Sequence, residues 1–293
     1  MIRKKEKSMI VDVIILGKGP AGIQAALYTK RANMKTLIIG KDNGALTKAG
    51  KIGNYYGIKS MSGIDLVEQG ISQALALEIP ILTEEVTGFS MNEHFKVLTN
   101  CGEYEAKAVI MATGSPRTSI KIPGIKELEG RGVSYCAVCD GFFYRRKVVG
   151  VLGNSAYAAQ EAEELIAMAS SVILFTNGKE PDSVFPDGTI IETGKISRLI
   201  GSDAIEAVEM EDGRKIDLAG LFIALGSASS TDLALKIGAL TEGNKIVTDE
   251  KKRTNVPGLF AAGDCTEGIM QISKAVADGC IAAMEAIAYV RAK

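Results

Sequence analysis

Met9-Ile-Val-Asp-Val-Ile-Ile-Leu16 runs directly into Gly17-Lys-Gly-Pro-Ala-Gly22, and this junction decides the fold. The apolar run reads as a buried strand. A helical stretch follows over residues 23–32, then a second apolar strand, Thr36-Leu-Ile-Ile39. Strand, G-x-G-x-x-G, helix and strand in that order form the dinucleotide-binding fingerprint in its required context. Gly17 makes the tight turn, Gly19 lets the backbone approach a pyrophosphate, and Gly22 lets helix and strand pack closely. The helix amino end supplies N–H groups and a positive dipole to the phosphates. Gly17, Gly19, Pro20, Ala21 and Gly22 are therefore candidate cofactor contacts. The acidic residue that often ends the second strand is displaced here, to Asp42.

Two later stretches complete the same domain. Ala108-Val-Ile-Met-Ala-Thr-Gly114 reads as a strand whose small last residues, Ala112, Thr113 and Gly114, let the backbone run against a bound dinucleotide. Pro116 breaks the segment, which places a boundary near 115–118. Pro257-Gly-Leu-Phe-Ala-Ala-Gly-Asp264 is another strand, ending in Gly263 and Asp264. A carboxylate there can accept hydrogen bonds from a ribityl chain. Gln271 precedes a final helix from 272 onward, whose amino end points partial positive charge at an acceptor that gains electron density, such as a reduced flavin.

The middle of the chain repeats the logic. Lys147-Val-Val-Gly-Val-Leu152 reads as a strand, Gly153-Asn-Ser-Ala-Tyr-Ala158 as the turn, residues 159–169 as a helix and Ser171-Val-Ile-Leu-Phe175 as the next strand. The predicted class is thus α/β, with two three-layer Rossmann-like domains, the second inserted into the first. Residues 1–115 and 244–293 are assigned to the outer domain and 116–243 to the inner one. The second turn departs from the fingerprint: Ser155 stands where the second glycine is needed, and its side chain crowds a pyrophosphate. No arginine lies between Val148 and Ser197, where a 2′-phosphate clamp is expected, and the only lysines are Lys179 and Lys195. Basic groups arriving from elsewhere, or use of NADH, remain open.

Cys136-Ala-Val-Cys-Asp140 carries the chemistry. Two thiols at this spacing close a small ring, and each attacks, or is attacked by, a disulfide on another molecule. Asp140 adds a carboxylate positioned to pass a proton to or from a departing thiolate. Half a zinc site and two inert buried cysteines are the competing readings. Zinc wants four ligands, whereas Cys101, Cys265 and Cys280 are scattered and His94 is the only histidine, so no metal site is expected. The chain has 293 residues, 46% of them apolar, with 32 glycines and a net charge of −1. That length accommodates two cores, and the charge favours neither nucleic acid nor an anionic membrane. The run from Met9 to Leu16 is too short for a membrane span and contains Asp12. Five cysteines without an export signal point to redox chemistry in the cytoplasm.

In order, Gly17-Lys-Gly-Pro-Ala-Gly22, Ala112-Thr-Gly114, Cys136-Ala-Val-Cys-Asp140 and Gly258-Leu-Phe-Ala-Ala-Gly-Asp264 resemble the low-molecular-weight thioredoxin reductases, within the flavin disulfide reductase-like fold. The resemblance covers residues 11–288. It implies a homodimer with one FAD per subunit, a redox disulfide between Cys136 and Cys139 in the inserted domain, a large rotation between domains, and thioredoxin as substrate. By carry-over Cys139 faces the flavin, Cys136 attacks thioredoxin and Asp140 donates the proton. Asn54 matches an asparagine near the cofactor. The departures are informative. Gly-Gly-Gln-Leu of the family is here Asn43-Gly-Ala-Leu46, and Arg-Gln near the last helix is here Met270-Gln271. With the degraded second turn, this combination resembles the flavin thioredoxin reductases of anaerobic bacteria that use reduced ferredoxin. Ferredoxin, or a flavodoxin, is the expected donor. Lys4, Lys5, Arg145, Arg146, Lys147, Lys251, Lys252 and Arg253 are candidates for docking it. Tyr55 and Tyr56 read equally as flavin neighbours or core. A nicotinamide-dependent reductase with an unusual pocket and an inactive flavin-bound regulatory protein are the alternatives.

Overall fold

A computed structural model describes residues 10–114, 121–226 and 228–293. The basic amino tip, with Lys4 and Lys5, and the break at Pro116 lie outside the described residues. The chain divides into two compact units: Met1–Pro116 with Ser229–Lys293, and Arg117–Ala228.

In the first unit, β1 (Val11–Leu16) leads through the glycine turn into α1 (Pro20–Arg31) and β2 (Thr36–Ile39). Both faces of β1 are covered, so Val13 to Leu16 are fully buried and the strand is continuously apolar rather than alternating. The helix begins at Pro20, three residues before the sequence places it. Proline at the first helical position costs nothing, because its missing N–H would have had no partner there. A loop then leads to α2 (Gly63–Ala76), capped by Ser62, whose hydroxyl accepts the Asp65 N–H. Short β3 (Ile81–Leu82) is followed by a meander of β4 (Val86–Met91), β5 (Phe95–Thr99) and β6 (Glu103–Met111). The sheet order is β3-β2-β1-β6-β5-β4, with β1 parallel to both β2 and β6.

The second unit opens with β7 (Val133–Ser134) and the single turn α3 (Ala137–Asp140). The repeated unit follows as β8 (Val148–Leu152), α4 (Ala156–Ile166) and β9 (Ser171–Phe175). Again the helix starts three residues earlier than its sequence suggests, because the turn is tight and Ser155 is already its N-cap. Next come β10 (Thr189–Glu192), the antiparallel trio β11 (Ile196–Ile200), β12 (Ala207–Met210) and β13 (Lys215–Asp217), and β14 (Gly220–Ile223). The main sheet, β10-β9-β8-β14-β7, is parallel throughout.

The chain returns to the first unit at Ser229, not near 243. The reason is local. Ser229 and Asp232 form a capping box that starts α5 (Ser230–Leu235), and Ser230 then bonds the carbonyl of Gly114 at 3.0 Å. The hairpin β15 (Thr241–Glu242) and β16 (Lys245–Ile246), strand β17 (Leu259–Ala261) and the long α6 (Ile272–Arg291) complete the unit. β17 lies parallel to β6, and α6 packs against α1 so closely that a Cβ at Gly279 would fall 2.2 Å from the Ala21 carbonyl oxygen.

Candidate active site

In the second unit, Cys136 and Cys139 are joined as a disulfide, with their Cα atoms 5.3 Å apart. Cys136 is the N-cap of α3, and its Sγ accepts the N–H of Cys139 at 3.1 Å. An N–H placed there favours the thiolate form of Cys136 once the bond is open. The two sulfurs differ in access: Cys136 is 3% exposed, whereas Cys139 lies at the surface. In the oxidised form Cys139 is thus the more exposed residue of the pair.

Two groups that sequence reading missed hold this turn. Ser134 accepts the Cys136 N–H at 3.1 Å and donates to Oδ2 of Asp140 at 2.7 Å, tying the carboxylate to the dithiol backbone. Glu161 on α4, 1% exposed, accepts the Ala137 N–H at 2.7 Å. Ala137 lies 24 residues from Glu161, beyond any local signal, and Ser134, two residues before Cys136, stands outside the C-x-x-C-D pattern. Glu161→Ala leaves the Ala137 N–H without this acceptor in a buried place, so a loss of about 1–3 kcal/mol is expected in urea denaturation. Beside the dithiol, Tyr144 is pushed to a higher pKa by burial and then by the Asp140 charge. Phe142 and Phe143 are exposed just beyond the dithiol.

The first unit builds the dinucleotide cradle. Gly17 has φ +114°, and a Cβ on it would lie 2.2 Å from the Ala112 carbonyl oxygen. A Cβ on Gly22 would lie 2.0 Å from the Gly17 carbonyl oxygen. At Gly19, by contrast, a Cβ would meet nothing within 4 Å, and no side chain caps α1. The amino end of α1, where Gly19, Ala21 and Gly22 carry backbone N–H groups and Pro20 carries none, is thus open at Gly19 with a positive helix end behind it. Thr113 and Ser230 are hydrogen-bonded to each other at the end of β6, beside Gly114 at φ +76°. Ser230 was invisible to motif reading; its signal is the Ser229-x-x-Asp232 box. Asn54 and Gln271, 217 residues apart, meet at 3.5 Å at the amino end of α6, which no side chain caps. Asp42 is spent locally on the Gly44 N–H at 2.8 Å.

These features fit FAD. The uncapped α1 suits its pyrophosphate, and the Asp264 carboxylate, which accepts no hydrogen bond among the described residues, suits its ribityl hydroxyls. The sequence matches the family described as pyridine nucleotide-disulphide oxidoreductase over residues 11–279. The chain belongs to this family. Within it, the chain is a low-molecular-weight thioredoxin reductase relative, and enzymes of this group are FAD-dependent flavoproteins. It is 35% identical to a thioredoxin reductase of Listeria innocua, covering 96% of this chain and 94% of that one. It is 34% identical to one from Aquifex aeolicus, covering 99% and 96%. Among solved structures it resembles the atypical thioredoxin reductase TRi of Desulfovibrio vulgaris Hildenborough, at TM-score 0.90 and 39% identity over 96% of this chain and 98% of that one. It also resembles a ferredoxin-flavin thioredoxin reductase of Clostridium acetobutylicum, at TM-score 0.70 and 31% identity over 97% and 99%.

The three basic residues Lys251, Lys252 and Arg253 are all held in ion pairs. Lys251 and Arg253 pair with Glu285, and Lys252 pairs with the buried Asp278. Each of the three is paired with a carboxylate on the facing helix α6, which leaves part of their charge uncompensated. Arg145 lies over the Phe142 ring and Lys147 over the Tyr144 ring. Tyr56 stands almost fully in solvent, which excludes the core reading for it.

Proposed function

We propose that this flavoprotein reduces the disulfide of thioredoxin with electrons from reduced ferredoxin, passed through FAD and the Cys136–Cys139 pair, in the cytoplasm and as a homodimer. The thiol chemistry rests on the family and on the disulfide itself. The donor rests on one observation, the way the second dinucleotide turn is closed by its own chain. Ser155 donates to the Gly226 carbonyl at 2.5 Å across the mouth of the turn. Asn154 donates to the Glu180 carbonyl at 2.9 Å, and the Asp182 N–H donates to the Asn154 carbonyl at 2.8 Å. The loop after β9, where an adenosine ribose is normally received, is thereby stitched over the turn that would receive a pyrophosphate. The nearby arginines are committed: Arg198 to Glu209, and Arg214 to Glu192 and Asp212. The likeness to an enzyme described as ferredoxin-flavin supports the same reading.

Energetics agree with it. A plant-type ferredoxin near about −400 mV feeding a thioredoxin near about −270 mV leaves a drop of roughly 130 mV, about 6 kcal/mol for two electrons. FAD, when bound, bridges a one-electron donor and a two-electron disulfide. The residues do the rest. Exposed Cys139 receives the electron pair, Cys136 departs as a thiolate held by the Cys139 N–H, and Asp140 supplies the proton that the dithiol needs. Cys136 then attacks the substrate disulfide, forming a mixed disulfide that Cys139 resolves. Asp140→Asn keeps an acceptor for Ser134 but cannot give a proton, so thioredoxin turnover is expected to fall about 10²-fold with FAD content unchanged.

Thioredoxin reduction assayed in parallel with photoreduced ferredoxin, NADPH and NADH tests the proposal. Turnover with ferredoxin alone is expected. Comparable turnover with a nicotinamide would overturn the donor and leave the dithiol chemistry standing. Absence of turnover with all three would favour a regulatory protein.

A further inference from the structure

A buried charge cluster under the Gly263–Asp264 turn has no part in the chemistry described so far. Asp278 on α6 is 4% exposed and carries two ammonium partners, Lys252 at 2.9 Å on one oxygen and Lys274 at 2.9 Å on the other. The same Asp278 oxygen that meets Lys274 accepts the Gly263 N–H at 3.1 Å. Lys274 in turn donates to the Gly263 carbonyl at 2.7 Å and to the Thr266 hydroxyl at 2.8 Å, and that hydroxyl donates to the Gly263 carbonyl at 2.8 Å. Both polar ends of the Gly263 residue are thus gripped by one ion pair. A third lysine, Lys245, donates to the Asp264 carbonyl. Gly263 itself is at φ +80°, and a Cβ there would lie 2.9 Å from the Cβ of Ala21 in the first turn of α1. The clamp therefore fixes the residue between the pyrophosphate-binding helix and Asp264.

Burying charge is expensive, and replacing such a cluster with apolar residues is often neutral or stabilising, so fold stability alone is a weak reason for it. Burial works to raise the Asp278 pKa, yet the two lysines outweigh it and hold the carboxyl below its ordinary value, so the group is ionised at neutral pH. Two ammoniums against one carboxylate leave a net positive charge, next to the uncapped amino end of α6. In a buried setting such a charge is poorly screened and acts on whatever electron density develops nearby.

We infer that Lys274 and Asp278, with Lys252, are positioning residues for the flavin: they lock the Gly263–Thr266 turn so that Asp264 meets the ribityl chain, and their surplus positive charge favours the reduced flavin. The inference rests on FAD binding at this turn and not on the identity of the donor.

Two substitutions of opposite charge effect test it, measured at pH 7 on holoenzyme by dye-equilibrium redox titration and by FAD release. Lys274→Met removes the positive charge and one grip on Gly263. It is expected to loosen FAD at least tenfold and to lower the reduced-to-oxidised flavin ratio about tenfold at a given potential, about 30 mV for a two-electron couple. Asp278→Asn leaves both ammoniums and is expected to shift that ratio in the opposite direction, while Lys274→Arg stays near wild type. A structural role alone would loosen FAD in both variants without opposite shifts in potential, and that outcome would overturn the inference. So would ratios within twofold of wild type in both. If Lys274→Met does not retain FAD at all, Lys252→Met, at the outer end of the cluster, carries the same predicted direction of shift.

Discussion

Cys139→Ser enzyme is expected to keep its FAD and lose thioredoxin turnover by at least a factor on the order of 10⁴, as when a nucleophile that acts as part of a unit is removed. With Cys139 gone, no intramolecular disulfide forms to receive electrons, and no thiol remains to resolve the mixed disulfide. Cys136 keeps its N-cap position, because the N–H that faces its Sγ belongs to the backbone of residue 139 and survives the substitution. Its thiolate should therefore still attack thioredoxin and stall there. A stable, reductant-sensitive adduct through Cys136, seen by intact mass, is the expected result. Adduct formation through another cysteine would contradict the roles assigned to the pair. Cys101 is exposed and serves as the internal control, and Cys265 is buried, with its thiol pushed up to about 11 mainly by burial.

Gly17→Ala should produce the second large effect, on the cofactor rather than on the thiols. The added methyl meets two obstacles at once: a φ of +114° that disfavours any side chain, and a backbone carbonyl oxygen only 2.2 Å away that cannot swing aside. Strain at such a φ costs roughly 1–3 kcal/mol, and forced overpacking roughly 1–3 kcal/mol more. A loss of about 3 kcal/mol or more is expected in denaturant unfolding, together with purification of a largely colourless protein. Gly19→Ala is the contrasting control. A methyl there meets no protein atom within 4 Å, so the fold should hold while FAD affinity falls, because the methyl projects into the space where the pyrophosphate approaches.

That contrast shows what the sequence made legible. The fingerprint glycines, the C-x-x-C pair and the terminal Gly-Asp were readable because each is a local pattern with one dominant physical cause. Both helix starts were set three residues late, since Pro20 and Ala156 look like turn residues until the tight turn itself acts as the cap. The return to the first unit was misplaced because a capping box, Ser229-x-x-Asp232, marks it rather than a glycine- or proline-rich linker. The second-unit turn departs from the fingerprint in the sequence at Ser155 and in the missing arginines between Val148 and Ser197. Its closure, through Asn154 and the loop at Glu180 and Asp182, depends on contacts some 26 residues apart. Lys252 was not read as a partner of the distant Asp278 for the same reason, whereas the Lys274–Asp278 pair is local and was passed over. Pairing across elements is set by tertiary packing, which no local motif records.

The central proposal is that the protein takes electrons from ferredoxin, supported by the hydrogen bonds of Asn154 and Ser155 at the second dinucleotide turn. The most direct measurement is anaerobic stopped-flow absorbance of the holoenzyme at the flavin band, mixed separately with NADPH, NADH and reduced ferredoxin. Rapid bleaching by ferredoxin, with neither nicotinamide changing the spectrum on the timescale of turnover, is the predicted result. Rapid bleaching by NADPH or NADH, or a flavin that stays oxidised against reduced ferredoxin, would contradict it.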